Sequence, residues 1–385
     1  MKNRHALPIA ARTQQAKRRG AIAVLAAILM IPMMAMVAFA IDYGYLLKTR
    51  AVLQRAADAA ALAAVRDLVP SDNVTQNLDT VRATVLEYAK ANIAEITSFS
   101  VLDADIEIGR YDPKTVYTNF TILDTGILDT VRVTLRRDTQ ANSPVSLFFA
   151  RVIGINTANV SATATAVLQK ARFIPPGVGV LPFGIPKVAW TAASPGDIWT
   201  LYGNGVNSHG TDTGDNNRLL DDSNNAIPGN WGTLDIGSSS NSAEALRDQI
   251  LNGLQQKDLN ALHSEGKISQ DTYIDSSQSW SGNGDPGLSS SIISACETVK
   301  GKTKLIPIYD SISGYPIVSG NNVEFHIVGW AMAEVVTAGG HGSKKAYVKI
   351  EKKSFLYDPF LKPQRDLSIT DGVIEGAFTS PVLVQ

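Results

Sequence analysis

Residues 20–41, GAIAVLAAILMIPMMAMVAFAI, form a run of 22 residues without a charge. As an α-helix rising 1.5 Å per residue, this run would be about 33 Å long, enough to cross the hydrocarbon core of a bilayer. Basic residues, with no acid among them, precede it: Lys2, Arg4, Arg12, Lys17, Arg18 and Arg19. We therefore predict a transmembrane helix at 20–41. The residues assigned to this membrane anchor are Gly20, Leu25, Pro32, Phe39 and Ile41.

The charges that flank this run predict its orientation. Basic residues stay on the cytoplasmic side of a membrane, so residues 1–19 should remain there while the rest of the chain is exported. Lys17, Arg18 and Arg19 lie closest to the run and should carry most of this preference. A cleaved signal peptide is the alternative, and Ala38-Phe39-Ala40 resembles a cleavage site. The apolar region of a signal peptide is about 7–15 residues long, so the length of the run favours a retained anchor.

The helix is predicted to continue beyond the membrane through residues 42–68. Eight of the 14 residues from 51 to 64 are alanine, a strong helix former. Apolar residues recur there at steps of three or four and form a stripe: Leu46, Leu53, Ala57, Ala60, Ala64 and Leu68. Two interpretations stay open. The stripe packs on a sheet of its own chain, or it also packs on copies of itself or on partner helices.

These N-terminal residues resemble the TadE/TadG-like family of Flp (tight-adherence) pilus-assembly proteins. The basic RRGAIAV start, Ile41-Asp42-Tyr43-Gly44 and the string LQRAADAAALAA at 53–64 carry the resemblance. Later segments at 130–135, 144–154 and 160–166 fit the same pattern, so the resemblance covers residues 17–170. The residues of the family motif helix are Asp42, Gln54, Ala56, Ala57, Asp58, Ala60, Ala61 and Leu62.

The resemblance implies a single-pass protein of the bacterial inner membrane, with most of its chain extracytoplasmic, that assembles or anchors Flp-type pili. Its partners would be the lipid bilayer, other pilus-assembly proteins and, through the Ala-rich helix, copies of itself. Prepilins and pseudopilins of this system carry Glu at the fifth position after the cleaved Gly, but Leu25 stands there. We therefore expect no prepilin cleavage, which favours a TadG-like protein over a TadE-like pseudopilin.

Composition sets limits on the rest of the chain. A chain of 385 residues with 44% hydrophobic content should hold one anchor and two modest domains. Its formal net charge of −1 gives no electrostatic reason to bind nucleic acid. Because Cys296 is its one cysteine, it has no internal disulfide, and we predict that this thiol is a buried small apolar residue.

The predicted fold class is α+β. Residues 42–172 should form a pilin-like module in which the long helix packs on an antiparallel sheet. Within it we predict helices at 80–96 and 144–154, and strands at 104–111, 128–138 and 159–169. Alternation is clear in the second strand, where Val131, Val133 and Leu135 are interleaved with polar residues.

A domain boundary is predicted near residue 172, because Pro175-Pro176-Gly177 interrupts the chain and all five tryptophans follow it. Residues 173–385 should form a mixed domain with a β-rich C-terminal half. It should contain a long surface loop at 203–230, where 16 of the 28 residues are Gly, Asn or Asp. Helices are predicted at 241–257, starting from an Asn241–Glu244 capping box, and at 288–300. Strands are predicted at 303–309, 323–336, 345–351 and 371–378.

Two acidic patterns could hold a metal ion. Asp275-Ser276-Ser277-Gln278-Ser279 matches the D-x-S-x-S string that opens the metal site of von Willebrand A domains, which several TadG-like proteins carry. The surrounding sequence lacks the alternation of strands and helices of that fold, so a serine-rich loop is favoured. Asp212, Asp215, Asp221 and Asp222 could form an oxygen cage for Ca²⁺, but they lack the spacing of a calcium loop.

No catalytic residue, cofactor, metal site or small-molecule substrate is predicted. The histidines, residues 5, 209, 263, 326 and 341, are scattered singly and lack the spacing of zinc ligands. We expect a protein that acts by binding, not an enzyme. An envelope adhesin or ligand-binding module carried by residues 173–385 is the alternative, and Trp199, Trp231 or Trp280 exposed around one cleft would favour it. An exported hydrolase is a third hypothesis, which would need a cleft with paired carboxylates or a hydroxyl–imidazole pair.

Overall fold

A computed structural model describes residues 14–93, 98–111, 120–121, 126–202, 233–237, 242–285, 288–313, 323–340, 346–364 and 372–384. The α-helices of these residues are α1 (Gln14–Arg66), α2 (Leu78–Asn92), α3 (Lys187–Ala192), α4 (Ala243–Asn252), α5 (Gln256–Ser264) and α6 (Ser290–Thr298). Short 3-10 helices lie at Asp103–Asp105 and Ala150–Ile153.

The strands follow in chain order. They are β1 (Ile106–Tyr111), β2 (Phe120–Thr121), β3 (Thr130–Arg137), β4 (Val145–Ser146), β5 (Thr157–Ala158), β6 (Val160–Ile174), β7 (Ile185–Pro186), β8 (Ile198–Tyr202), β9 (Thr233–Leu234), β10 (Ile274–Asp275), β11 (Trp280–Asp285), β12 (Thr303–Ser313), β13 (Val323–Gly339), β14 (Tyr347–Lys353), β15 (Leu356–Tyr357), β16 (Lys362–Pro363) and β17 (Ala377–Val384). The chain is therefore an α+β protein with one long apolar N-terminal helix.

Helix α1 is 53 residues long, or about 80 Å, and it continues through Pro32 without interruption. It ends just before a turn that precedes Pro70. Its apolar half, before residue 42, and its Ala-rich half differ in burial. The predicted stripe from Leu53 to Leu68 is buried within the chain, whereas the large apolar side chains before residue 42 are exposed. The first of the two interpretations of the stripe therefore describes this chain, while packing on copies stays a prediction.

Strand β6 is central to an eight-stranded sheet whose order is β15-β17-β6-β3-β1-β2, with β10 and β16 also paired to β6. The predicted alternation of β3 is confirmed, since Val131, Val133 and Leu135 are buried while the residues between them are half-buried. The C-terminal strand β17 runs antiparallel to β6, with Val382 opposite Val167. The C-terminal strand β17 is thus paired with β6, the strand in which the region that resembles the pilus-assembly family ends.

A seven-stranded sheet follows the order β7-β12-β13-β11-β9, with β14 between β13 and β8. Its long strands β12, β13 and β14 pair antiparallel. Alternate residues face two cores. Ile306 and Ile308 join a cluster with Ile250 of α4 and Ile292 of α6, whereas Leu305 joins a second cluster. That second cluster contains residues of both sheets, Ala171, Ile174, Ile274, Phe325, Ile327 and Met332 among them.

The contacts divide the chain into two compact units. One holds residues 1–60, 86–106 and 133–164, and the other holds 61–85, 107–132 and 165–385. Both units therefore contain parts of α1, β3 and β6. The division predicted from sequence, 1–19, 20–41, 42–172 and 173–385, rests on composition and stays a prediction.

Three predicted elements differ from the observed ones. The strand predicted at 371–378 is wrong over most of its length, because residues 372–376 lie outside any strand and β17 begins at Ala377. The helix predicted at 144–154 is wrong, because Val145 and Ser146 pair with Ala158 and Thr157 and only Ala150–Ile153 is helical, as a 3-10 turn. The helix predicted at 241–257 ends at Asn252, since Gly253 adopts a φ of +74° and its would-be Cβ would meet the backbone of Val178. A further helix, α5, begins at Gln256.

The predicted capping box of α4 is wrong, because the N-cap of this helix is Ser242. The hydroxyl of Ser242 accepts the hydrogen bond from the N–H of Ala245 at 3.1 Å. Asn241 and the loop at 203–230, with its four aspartates, lie outside the described residues.

Candidate membrane and assembly interface

The apolar half of α1, before Asp42, presents apolar side chains in every direction. From Val24 to Ile41 its large apolar side chains are between 47% and 72% exposed. Among the described residues, one helix is long and apolar enough to cross a membrane, judged by length and composition, and it is α1 from Ala23 onward. Soluble proteins rarely expose a continuous apolar surface of this extent to water, because such exposure is unfavourable. The feature fits a membrane-anchored envelope protein.

The residues predicted for the anchor and its orientation lie along this helix. Leu25, Phe39 and Ile41 are exposed apolar residues, and Pro32 is inside the helix. Gly20 belongs to the helical backbone, as do the basic residues before it, Lys17, Arg18 and Arg19. One helix therefore joins the basic segment to the apolar one.

Asp42 is the first charged residue after the apolar run, and it is buried with 5% of its surface exposed. Its two carboxylate oxygens accept three backbone hydrogen bonds. Oδ1 accepts from the N–H of Phe148 at 2.7 Å, and Oδ2 accepts from the N–H groups of Phe149 at 3.0 Å and Ala150 at 2.7 Å. These N–H groups open the 3-10 turn Ala150–Ile153, so Asp42 caps that turn from 106 residues or more away in sequence.

The charge state of Asp42 follows from these contacts. Burial raises the pKa of its carboxyl group, because an ion is less stable away from water. The hydrogen bonds from Ala150, Phe148 and Phe149, together with the charge of Arg151, act in the opposite direction and prevail. The net result is a lowered pKa, so Asp42 is ionised at neutral pH and keeps all three bonds.

Neighbouring contacts hold the same segment. The ring of Tyr45, one turn after Asp42, meets Phe148 edge to face with centroids 5.3 Å apart. Strand β4 pairs with β5, and the N–H of Leu147 donates to the carbonyl of Asn156 at 3.0 Å. Inside the turn, the N–H of Ile155 donates to the carbonyl of Ala150 at 3.0 Å. The segment is therefore closed at its base and attached to α1.

The family motif residues on the Ala-rich half of α1 take two roles. Ala56, Ala57, Ala60 and Ala61 are fully buried, because a methyl side chain lets other backbone come close. Gln54 donates from Nε2 to the carboxylate of Asp58 at 2.8 Å, and to the carbonyl of Thr163 on β6 at 3.0 Å. Leu62 is half-buried. Asp42, Gln54 and the alanines thus fix one face of α1, and Leu62 lies away from it.

The string at 275–279 forms part of an ion pair. Both oxygens of Asp275 accept from the guanidinium of Arg172, at 2.9 and 3.0 Å, and Oδ1 also accepts from the hydroxyl of Ser277 at 2.7 Å. Burial raises the pKa of Asp275, but the bonds from Arg172 and Ser277 outweigh it and lower the pKa. The carboxylate that a divalent ion would need is therefore occupied by a cation of this chain.

Three further candidate residues lie outside this interface. Cys296 is buried as predicted, and burial raises the pKa of its thiol to about 12. His326 lies beside Asp310 at 2.8 Å, and His263 beside the carbonyl of Ile268 at 3.2 Å. Within the described ranges, no three His, Cys, Asp or Glu side chains lie together as metal ligands would.

The tryptophans bear on the adhesin alternative. Trp199 and Trp280 are both 3% exposed and belong to the core clusters. Trp231 lies outside the described residues. Two of the three tryptophans named for a binding cleft therefore pack in the interior, and the adhesin alternative stays a prediction.

The sequence did not predict the link between Asp42 and residues 148–150. The only signal for it was the apolar run at 147–155 with one charge, Arg151, which reads equally well as a buried helix. A carboxylate that bonds to backbone N–H groups leaves no pattern in the sequence of those groups, since every residue except proline has one.

The chain thus combines an apolar helix of membrane-spanning length with an α+β fold whose first sheet includes the strands that follow it. Residues 20–67 match the family described as Flp pilus-assembly TadE/G-like, and residues 46–166 match the family described as Tad-like Flp pilus-assembly. These matches confirm the resemblance for the N-terminal part of the chain, which contains Asp42, the Ala-rich face and the segment at 148–155. Searches of curated proteins and of solved structures each found no match.

Proposed function

We propose that this protein is a membrane-anchored assembly protein of an Flp-type pilus, which acts by binding other envelope proteins and not by catalysis. The observation that carries the proposal is the double family match over residues 20–166. That region includes the apolar half of α1 and its link through Asp42 to the segment at 148–150. The matched part thus includes the proposed anchor and its hydrogen-bonded connection to residues 148–150.

The proposed orientation places residues 1–19 in the cytoplasm and the bulk of the chain outside the inner membrane. Lys17, Arg18 and Arg19 support it, because basic residues are retained on the cytoplasmic side. In this proposal the lipid bilayer surrounds apolar side chains such as Leu25 and Phe39, which no other part of the chain covers.

The proposed protein contact uses the side of α1 that the chain leaves uncovered. Ala51 and Arg55 are exposed there, and Ala59 and Leu62 are half-buried. Their steps of three and four residues place them on one side of the helix, opposite the buried side that contains Ala57, Ala60 and Ala64. Copies of this chain, or helices of other assembly proteins, would pack on this outer side.

A complementation experiment tests the proposal. Deleting the gene in its native bacterium should abolish or reduce Flp pili on electron micrographs, and the full-length gene should restore them. A variant whose residues 20–41 are replaced by a leucine-rich span of equal length should also restore them, because the anchor needs apolarity and length. A variant secreted with a cleavable signal in place of residues 1–41 should not.

Unaltered pili in the deletion strain would contradict the proposal. Restoration by the secreted variant would contradict the anchoring and leave a soluble pilus role in place.

A further inference from the structure

The segment at 148–155, here called the apolar loop, exposes large apolar side chains where a loop usually presents polar ones. Val152 is 88% exposed and Ile153 is 76% exposed, and Phe148, Phe149 and Ile155 are also exposed. Five such side chains in eight residues are too many for scattered surface residues, and a contiguous apolar patch marks a binding surface.

The loop is held in one conformation although its side chains point outward. Asp42 fixes the N–H groups of residues 148–150, and β4 and β5 close its base. Gly154 adopts a φ of +89°, with its N–H bonded to the carbonyl of Arg151 at 3.0 Å, which ends the 3-10 turn. Because so many backbone hydrogen bonds hold this segment, its exposed apolar side chains form an ordered surface.

The apolar loop and the apolar half of α1 line one groove of about 900 Å³. Met33, Met34 and Phe39 of the predicted span line it on one side, and Val152 and Ile153 of the loop line it on the other. Among the described residues that line the groove, Asp42 alone carries a charge, and its oxygens already accept three hydrogen bonds. From Met30 to Leu46 the α1 side of the groove extends about 24 Å.

We propose that the apolar loop is a second membrane contact, which enters the exported-side leaflet beside α1 so that lipid acyl chains fill the groove. This inference rests on the anchoring in the proposed function. It follows from continuity: the groove has side chains of the predicted span as one wall, so whatever surrounds the span also reaches the loop. The lining offers an occupant carbon surface and no free charge, which suits acyl chains.

The position of Arg151 agrees with this assignment. It is exposed on the loop between apolar neighbours, and a long basic side chain can keep its charge at the headgroup level while its stem lies among apolar groups. Together, α1 and the loop would contact the bilayer at two points and restrict how the helix tilts and rotates in it.

Site-specific labelling of the full-length protein in phospholipid vesicles tests the proposal. Val152→Cys carries an environment-sensitive fluorophore, while the buried Cys296 thiol, with its raised pKa, stays unlabelled in the folded protein. Ile31→Cys, in the predicted span, is the matched lipid control, and Ala91→Cys, exposed on α2, is the matched water control. Lipid-attached and water-soluble quenchers report the surroundings of each label.

We expect the label at residue 152 to behave like the one at residue 31, with blue-shifted emission, quenching by lipid-attached quenchers and little quenching by iodide. Adding Ile153→Asp should shift the emission at residue 152 back toward that at residue 91, because the carboxylate opposes entry into lipid.

Three results would overturn the proposal. Iodide quenching at residue 152 equal to that at residue 91, with residue 31 still in lipid, would show a loop in water and leave the anchor intact. Protection of residue 152 from both quenchers would show a protein cover, a second copy included. Iodide quenching at residue 31 would remove the anchor itself and, with it, the membrane part of the proposed function.

Discussion

Asp42 shows how one side chain can determine the conformation of a distant loop. Its carboxylate stands at the end of the apolar run and accepts the N–H groups of Phe148, Phe149 and Ala150. Hydrogen bonds to an ionised acceptor are stronger than those between neutral groups. The same residue therefore ends the apolar run and positions the apolar loop.

Replacing Asp42 with asparagine should loosen that loop. An amide has one oxygen and no charge, so it cannot accept the three bonds that the two carboxylate oxygens accept. Hydrogen–deuterium exchange of the full-length protein should become faster at the amides of residues 148–150. Asp58→Asn is the matched control, because Asp58 accepts from Gln54 on the same helix and not from the loop. Equal exchange at these amides in both variants would contradict the role given to Asp42.

The lowered pKa of Asp42 predicts a pH dependence of the same loop. A carboxyl group whose pKa is lower in the folded state stabilises the fold fully above its unfolded-state pKa, about 3.9, and loses that contribution as pH falls through the folded-state pKa. Protection of the amides at 148–150 should therefore be constant from neutral pH down to about pH 5 and should decline below about pH 4. In the Asp42→Asn variant this acid-dependent decline should be absent.

At the level of elements, the local sequence pattern correctly predicts the helices and strands whose tertiary contacts favour the same structure. Helix α1 and strand β3 are predicted from periodicity and helix α6 from the local sequence that ends at Gly301, and the core confirms all of them. The segment at 144–154 is predicted as a short apolar helix, because its residues are apolar and Ser143-Pro144 suits the start of a helix. Pairing of β4 with β5 and capping by Asp42 override that preference, and neither partner is local in sequence.

The same limit applies to the candidate site: its local features could be predicted from the sequence, and its long-range contact could not. The anchor and the motif helix could be named residue by residue, because apolarity, charge and alanine content are local properties. Their connection to residues 148–150 could not, since it depends on the path that the chain takes between residues 66 and 145. The break after Asn252 was missed because a single Gly253 with positive φ, set against Val178, ends the helix there.

Overpacking the Ala-rich face should destabilise the protein. Ala60 is fully buried, so Ala60→Leu adds three carbon atoms where no space is left, and such changes cost about 1–3 kcal/mol. The free energy of unfolding of the full-length protein in detergent, measured by urea denaturation, should fall by that amount. Ala51→Leu, on the exposed side of the same helix, should leave it nearly unchanged. Similar losses in both variants would show that helix propensity, not packing, governs this region.

The outer side of α1 should be where other helices bind. Arg55→Cys places a thiol on that side, and Arg50→Cys places one on a different exposed side of the same helix. Short cross-linkers applied to native membranes should capture products from residue 55 and few or none from residue 50. A homodimer would identify self-association, and a heavier product would identify another assembly protein. Equal yields at both positions would contradict a specific face.

At the scale of the whole molecule, the orientation in the membrane determines what the rest of the chain can reach. The basic side chains of Lys17, Arg18 and Arg19 precede the span with no acid nearby, and a bias of basic residues close to a span sets its direction. With this orientation the residues after Asp42 are exported and available to extracytoplasmic partners. With the opposite orientation they would remain among cytoplasmic proteins, and a pilus role through them would be excluded.

Replacing Lys17, Arg18 and Arg19 together with glutamate should therefore reduce export of the chain. In spheroplasts, added protease should degrade a C-terminal tag on the native protein and spare a larger fraction of the tag on this variant. Lys300→Glu combined with Lys302→Glu is the control, because charges so far from the span have little effect on topology. A tag that is shielded already in the native protein would reverse the proposed orientation. Because the Asp42 contacts lie on the far side of the span from these basic residues, the loop should remain folded in the exported fraction of either variant.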